Sequence, residues 1–128
     1  MASTVLYAPY VYEDGDEISC RATAPVTVGH LVMVSGDRTG GNISAAHTTA
    51  GGFTIGVAGM NANTGDLFTA YSGGIVRAVA GAAVTGGQSL MAAADGTVVP
   101  QTGTNITIGY AIESAVSGAY VGVRFTAL

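Results

Sequence analysis

The chain has no lysine and no tryptophan, one cysteine and three prolines in 128 residues. Each shortage excludes something. A lone cysteine, Cys20, cannot build an internal disulfide framework. The four arginines, Arg21, Arg38, Arg77 and Arg124, are scattered, and eight acidic residues bring the net charge to −4. Nucleic-acid binding needs clustered positive charge to neutralise phosphates, so no nucleic-acid partner is expected. His30 and His47 have no cysteine or histidine at ligand spacing, which leaves no zinc site. No uncharged apolar run reaches the ~18 residues a membrane helix needs, and the apolar Ile75 to Val84 contains Arg77 and Gly81, so no membrane span is expected. Helical periodicity is missing too. The alanine-rich pieces 78–83 and 90–94 are broken by Gly81, Gly86, Gly87 and Gly96. None of the glycines precedes a helix in the manner of a phosphate cradle.

Charge is the scarcest resource. Charged residues make up 9% of the chain, against about 25% in a typical soluble domain. Ionic surface keeps monomers apart, so this composition predicts self-association or a large partner. The length suggests one domain able to bury roughly two-thirds of its unfolded surface.

What is present is short alternating text punctuated by glycine. Asn105 to Phe125 reads as a β-hairpin. Ile106, Ile108, Tyr110 and Ile112 fall on one side of an extended chain, with Thr107, Gly109 and Ala111 on the other. On the return, Val121, Val123 and Phe125 oppose Tyr120, Gly122 and Arg124. Thr54-Ile55-Gly56-Val57-Ala58 repeats as Thr107-Ile108-Gly109-Tyr110-Ala111, an offset of 53, and Ala62 and Gly65 find Ala115 and Gly118 at the same offset. Val26-Thr27…Leu31-Val32-Met33 is echoed by Val84-Thr85…Ser89-Leu90-Met91, but at an offset of 58. Further strands are expected at 17–22, 28–34, near Ile43, and at 53–58, 67–71 and 75–79, with a tight turn at Asp95-Gly96. The fold class is all-β: a small β-barrel or β-sandwich of two repeated hairpin modules with an extended N-terminal arm. The expected division is residues 1–12 as the arm and 13–128 as a single β domain.

Chemistry is sparse. Ile18, Cys20 and Ala22 alternate inward, which makes Cys20 inert packing. Nothing brings His30 to Cys20 as a nucleophile's base, and His47, in a Gly/Thr-rich stretch, is expected in solvent. The acids from Glu13 to Glu17 lack the alternating ligands of a calcium loop and read as a solvated turn. The arm is the candidate binding element. Val5, Leu6, Tyr7, Tyr10, Val11 and Tyr12 surround Pro9, and three of the six tyrosines lie here. Tyrosine offers contact area with a polar tip at low entropy cost, which suits an interface. Packing of the arm on its own domain and contact with a neighbour are both open. The N-terminus MASTVLYAPY carries no basic n-region, so synthesis in a cytoplasm without a signal peptide is expected.

Four stretches occur in a telling order. Gly15-Asp16-Glu17-Ile18 leads to Thr23-Ala24-Pro25-Val26 and Val28-Gly29-His30-Leu31-Val32-Met33-Val34. Ile55-Gly56-Val57-Ala58 is followed by Gly65-Asp66, then Gly86-Gly87-Gln88 by Leu90-Met91 and Asp95-Gly96-Thr97-Val98. Ile108-Gly109-Tyr110-Ala111-Ile112-Glu113 ends in Val121-Gly122-Val123-Arg124-Phe125. From about Glu13 onward this order resembles the capsid cement, or head decoration, proteins of tailed bacteriophages. The arm and the 38–52 stretch are longer than that pattern. The resemblance implies a non-enzymatic virion protein without cofactor, made in the host cytoplasm. It would sit on the outer capsid surface as a homotrimer at local three-fold positions of the major capsid protein. Two other readings stand beside it: another virion part, such as a fibre base or tail ornament, and a surface- or carbohydrate-binding β module. Sugar sites favour exposed aromatics, and the lack of tryptophan weighs against the last.

Overall fold

The structure, a computed structural model, describes residues 17–126. The arm and the acidic residues 13–16 lie outside them. Among the described residues there are ten strands and no helix: β1 (Glu17–Ala22), β2 (Leu31–Val34), β3 (Ile43–His47), β4 (Gly56–Ala58), β5 (Leu67–Tyr71), β6 (Ile75–Val79), β7 (Ser89–Ala92), β8 (Val98–Pro100), β9 (Gly109–Ala111) and β10 (Tyr120–Phe125). The all-β expectation holds. In β1 the alternation is as read, with Ile18, Cys20 and Ala22 buried and Glu17 and Ser19 exposed.

Strands β1 to β5 close into a barrel in the order β1-β3-β2-β4-β5, with β5 returning to β1. Strands β6 to β10 form a second sheet, β6-β10-β9-β7-β8. The two have one wiring. In each, the first and last strands pair antiparallel, as do the second and third, the second and fourth, and the fourth and fifth. The parallel closure of the first barrel, β1 on β3 through Ala22↔Ala45, reappears as the parallel bridge Ala80↔Val98. Closure is shorter in the second copy because β8 has three residues and ends in Pro100, which has no N–H to donate.

The paired registers explain the two sequence offsets. Everything up to β2 maps onto the second copy at 58, and everything from β3 onward at 53. The five-residue difference falls in the hairpin loop between β2 and β3, which has outgrown the turn between β7 and β8. Loop hydrogen bonds repeat as well. Gly29 N–H donates to Ala58 O at 2.9 Å and Gly87 N–H to Ala111 O at 2.7 Å. Gly65 N–H meets Ala22 O at 2.8 Å and Gly118 N–H meets Ala80 O at 2.7 Å.

Each copy has a core of its own. The first holds Ile18, Cys20, Ala22, Val26, Val32, Ala45, Ala58, Phe68 and Ala70. The second holds Ala78, Ala80, Val84, Leu90, Val98, Ile108, Ala111, Val121, Val123 and Phe125. Volumes compensate across the copies: the register neighbours Cys20 and Phe68 correspond to Ala78 and Val121, while Ala70 corresponds to Val123. Swaps that keep the total volume are the ones cores tolerate best.

The hairpin faces need a correction. Ile108 is buried as expected, but Tyr110 and Ile112 stand outside, and Gly109 and Ala111 fill the interior. The interior has no room at that point. A Cβ on Gly109 would collide with the carbonyl oxygen of Arg124, and one on Gly56 with that of Tyr71. Strand starts are also later than predicted at β2 and β4. Residues 27–30 and 85–88 are turns, closed by His30 N–H to Thr27 O at 3.2 Å and Gln88 N–H to Thr85 O at 3.0 Å. Phe53 is 66% exposed and precedes β4.

Candidate functional site

The seam between the copies gathers three ionisable side chains, His30, His47 and Asp95. Leu31 and Val57 point outward from the first barrel and belong to the second core, at 0% and 2% exposure. Beside them Leu31 N–H donates to Gly96 O at 2.6 Å and Val79 N–H to Gly29 O at 2.8 Å. Gly96 has φ +79°, and a Cβ there would meet the Leu31 carbonyl, so the turn can approach only because it carries a glycine. His30 and His47 stack here, with ring centroids 4.7 Å apart and 22° between planes. His47 thus lies on β3 and half-buried, not in the solvated loop expected for it. It was missed because it sits next to His30 only through the β2–β3 pairing.

Hydrogen bonds fix the tautomers. The Asp95 carbonyl can only accept, so His30 donates Nδ1–H to it at 2.6 Å. Thr27 N–H donates to Nε2 of His47 at 2.9 Å, which requires that nitrogen to be unprotonated. Burial, then the neighbouring His30, lowers the pKa of His47 below its ordinary 6.5. The Asp95 carboxyl accepts the Thr97 hydroxyl at 2.7 Å, and that bond chiefly lowers its pKa. These groups hold a turn against a strand. Cys20 is enclosed in the first core, and burial pushes its thiol up to about 11. No group of three or more metal-ligating side chains assembles among the described residues.

The concavities are shallow. A cleft of about 320 Å³ is lined by Pro25, Val26, Thr27, Asn61, Asn63 and Asp66. Its polar groups serve their own loops: Asn61 Oδ1 accepts Val28 N–H at 2.8 Å, and Asp66 Oδ2 accepts Asn63 N–H at 3.1 Å.

Apolar surface is more conspicuous. Ile75, Tyr110, Ile112 and Tyr120 are each 43–55% exposed on the outer side of β6, β10 and β9. One row runs Ile75, Arg124, Tyr110, Ser89 across four strands, and Arg77 lies opposite Gly122 in the next. Ile112 fills the hollow over Gly122, whose N–H donates to Glu113 Oε2 at 3.0 Å. Tyrosine and arginine among exposed aliphatics are the composition of contact surfaces. The arm residues proposed from sequence, Val5, Leu6, Tyr7, Tyr10, Val11 and Tyr12, lie outside the described residues.

A family model described as phage cement protein matches residues 12–125. The chain belongs to the phage cement protein family. The match begins where the sequence resemblance begins, and it spans both copies, so the cement unit includes the duplication. No curated protein matches. Among solved structures, the crystal structure of the head fiber gp8.5 N base of bacteriophage phi29 is similar, at 25% identity and a TM-score of 0.75. It covers 87% of this chain, and this chain covers 93% of it. This cement-family chain is therefore a structural component of a phage virion, with the fold also seen in the base of a head fibre.

Proposed function

We propose that this protein decorates the outside of a phage head, bound as a homotrimer at local three-fold positions of the major capsid protein, and that it stabilises the mature shell without catalysing a reaction. The family match over residues 12–125 carries this reading. Three physical features support it. The surface is poor in charge, the exposed face of the second sheet has interface composition, and the ionisable groups at the seam are engaged in structural bonds. A ligand that binds the assembled shell and not its dissociated parts stabilises it by mass action, about 2.7 kcal/mol per site at a free concentration 100 times Kd. Many sites multiply that term.

Residues 13–128 act as one unit in this reading, and residues 1–12 as the arm. Val5, Leu6, Tyr7, Tyr10, Val11 and Tyr12 add a strand to an exposed edge of the capsid protein, with backbone hydrogen bonds for affinity and alternate side chains for fit. The protein is made in the host cytoplasm and ends on the outer surface of the particle. Co-sedimentation with full heads and with unexpanded shells tests the reading: binding to the former and not the latter is expected. Deletion of residues 2–12 should weaken head binding, and undiminished binding would remove the arm from the contact.

The likeness to a head-fibre base favours a second reading, in which the chain seats a fibre on the head. The chain covers nearly all of that base. Electron micrographs of particles separate the two: a low knob for decoration, a projecting fibre for a base.

A further inference from the structure

The duplication gives the exposed face a counterpart within the same chain. On the first barrel the row Leu31, Val57, Tyr71, Glu17 runs across four strands. At the offsets of the repeat its counterpart is Ser89, Tyr110, Arg124, Ile75. The Leu31–Val57 end of the first row is covered by the second copy and buried. The same end of the second row is open, with Tyr110 at 43% and Ile75, further along, at 55% exposure. A face that receives the second sheet within the chain is thus repeated, uncovered, on that sheet itself.

Charge indicates what covers it. Arg124 lies between Ile75 and Tyr110, and Arg77 opposite Gly122, so neither has a carboxylate opposite it in the register. The nearby Glu113 is bound to Gly122 N–H. In the first barrel, by contrast, Arg21 and Arg38 are tied to the carbonyls of Gly65 and Gly41, at 2.8 and 2.6 Å. Of the acids of that barrel, Asp66 accepts the Asn63 N–H of its own loop at 3.1 Å and Glu17 lies in the Leu31–Val57 row, which leaves Asp37 exposed on the side away from the internal seam. Asp37 lies on the β2–β3 loop, the counterpart of the 93–96 turn that makes the internal seam.

We propose that the outer face of β6, β10 and β9, centred on Tyr110, receives the first barrel of a second copy of this chain, continuing head to tail the packing that the barrel and the second sheet have within one chain. Its core is Tyr110 with Ile75 and Ile112, and its charged edge pairs Arg124 and Arg77 with Asp37 on the β2–β3 loop of the next copy. A head-to-tail contact uses two different patches and closes into a ring when the rotation allows. The internal seam buries Leu31 and Val57 where this face offers Ser89 and Tyr110, so the contact between chains is the more polar of the two.

The proposal deepens the homotrimer reading and rests on it, but its test uses the free protein, so loss of head binding and loss of self-association are scored separately. Sedimentation velocity over a concentration series compares the full chain with Tyr110→Asp, Arg124→Glu and, as an exposed control away from the row, Val116→Asp. Thermal melts confirm that each variant folds. The full chain and Val116→Asp are expected to sediment as one closed multimer, while Tyr110→Asp and Arg124→Glu lose about tenfold or more in association. A multimer indifferent to both substitutions would overturn the proposal. So would a full chain that stays monomeric at every concentration, which would give the face to the chain's own residues 1–16 or to the shell.

Discussion

Gly56 and Gly109 hold the same place in the two copies, each under a carbonyl of the last strand of its sheet. Added carbon there meets backbone, which cannot step aside, so Gly109→Ala should cost about 1–3 kcal/mol of stability, as overpacking does. Gly36 has open space around it, and Gly36→Ala should be neutral or slightly stabilising. Urea unfolding of the two variants against the parent chain decides it. Cys20 makes a second prediction. Its thiol is buried with its pKa raised to about 11, so it should resist an aromatic disulfide reagent at neutral pH and react fully in denaturant. This burial was legible, because the alternation of β1 is strict and both faces carry the expected residue types. The faces of Tyr110 and Ile112 were not legible. Alternation assigns large apolar residues inward, whereas here the carbonyl of Arg124 leaves the interior space only for Gly109 and Ala111.

At the level of elements, strands flanked by unambiguous turns, β1, β5 and β6, were readable to their ends. Strand β2 starts later than its hydrophobic text, because the glycine-bearing turn at 27–30 holds Val28 and His30 in non-strand geometry, and the turn at 85–88 repeats it before β7. The duplication was visible, but its two offsets made sense only once pairing located the extra residues in the β2–β3 loop. The seam had no local signature at all, since His30, His47 and Asp95 meet through sheet register and packing. It yields a pH prediction. The folded state holds the pKa of His47 below the ordinary 6.5, so the unfolded chain binds more protons as pH falls past that value. Stability from this site is therefore present above pH 6.5 and lost as pH falls through the lowered folded pKa. A proton on Nε2 would also face the Thr27 N–H it now accepts. The melting temperature should drop on mild acidification, and His47→Gln should flatten that drop. The lowered pKa of Asp95 adds a similar loss, reached only below its ordinary 3.8. An unchanged acid limb in His47→Gln would show that the stacked pair has no part in it.

For the whole molecule, composition already pointed to contact as the purpose. A chain with 9% charged residues and no lysine has little with which to stay apart from its neighbours. The order of weak motifs pointed to phage cement proteins, and the family match over residues 12–125 places the chain among them. What no sequence pattern disclosed is that the first barrel serves as the docking ground for the second sheet of the same chain, because that surface is made by Leu31 and Val57 pointing away from their own core. In the proposed reading a protein built in this way covers and braces a shell. The most direct measurement is the temperature at which DNA escapes from full heads lacking the protein, recorded as purified protein is added. A rise that saturates at a fixed number of copies per head is predicted; heads that bind the protein and release their DNA at an unchanged temperature would contradict it.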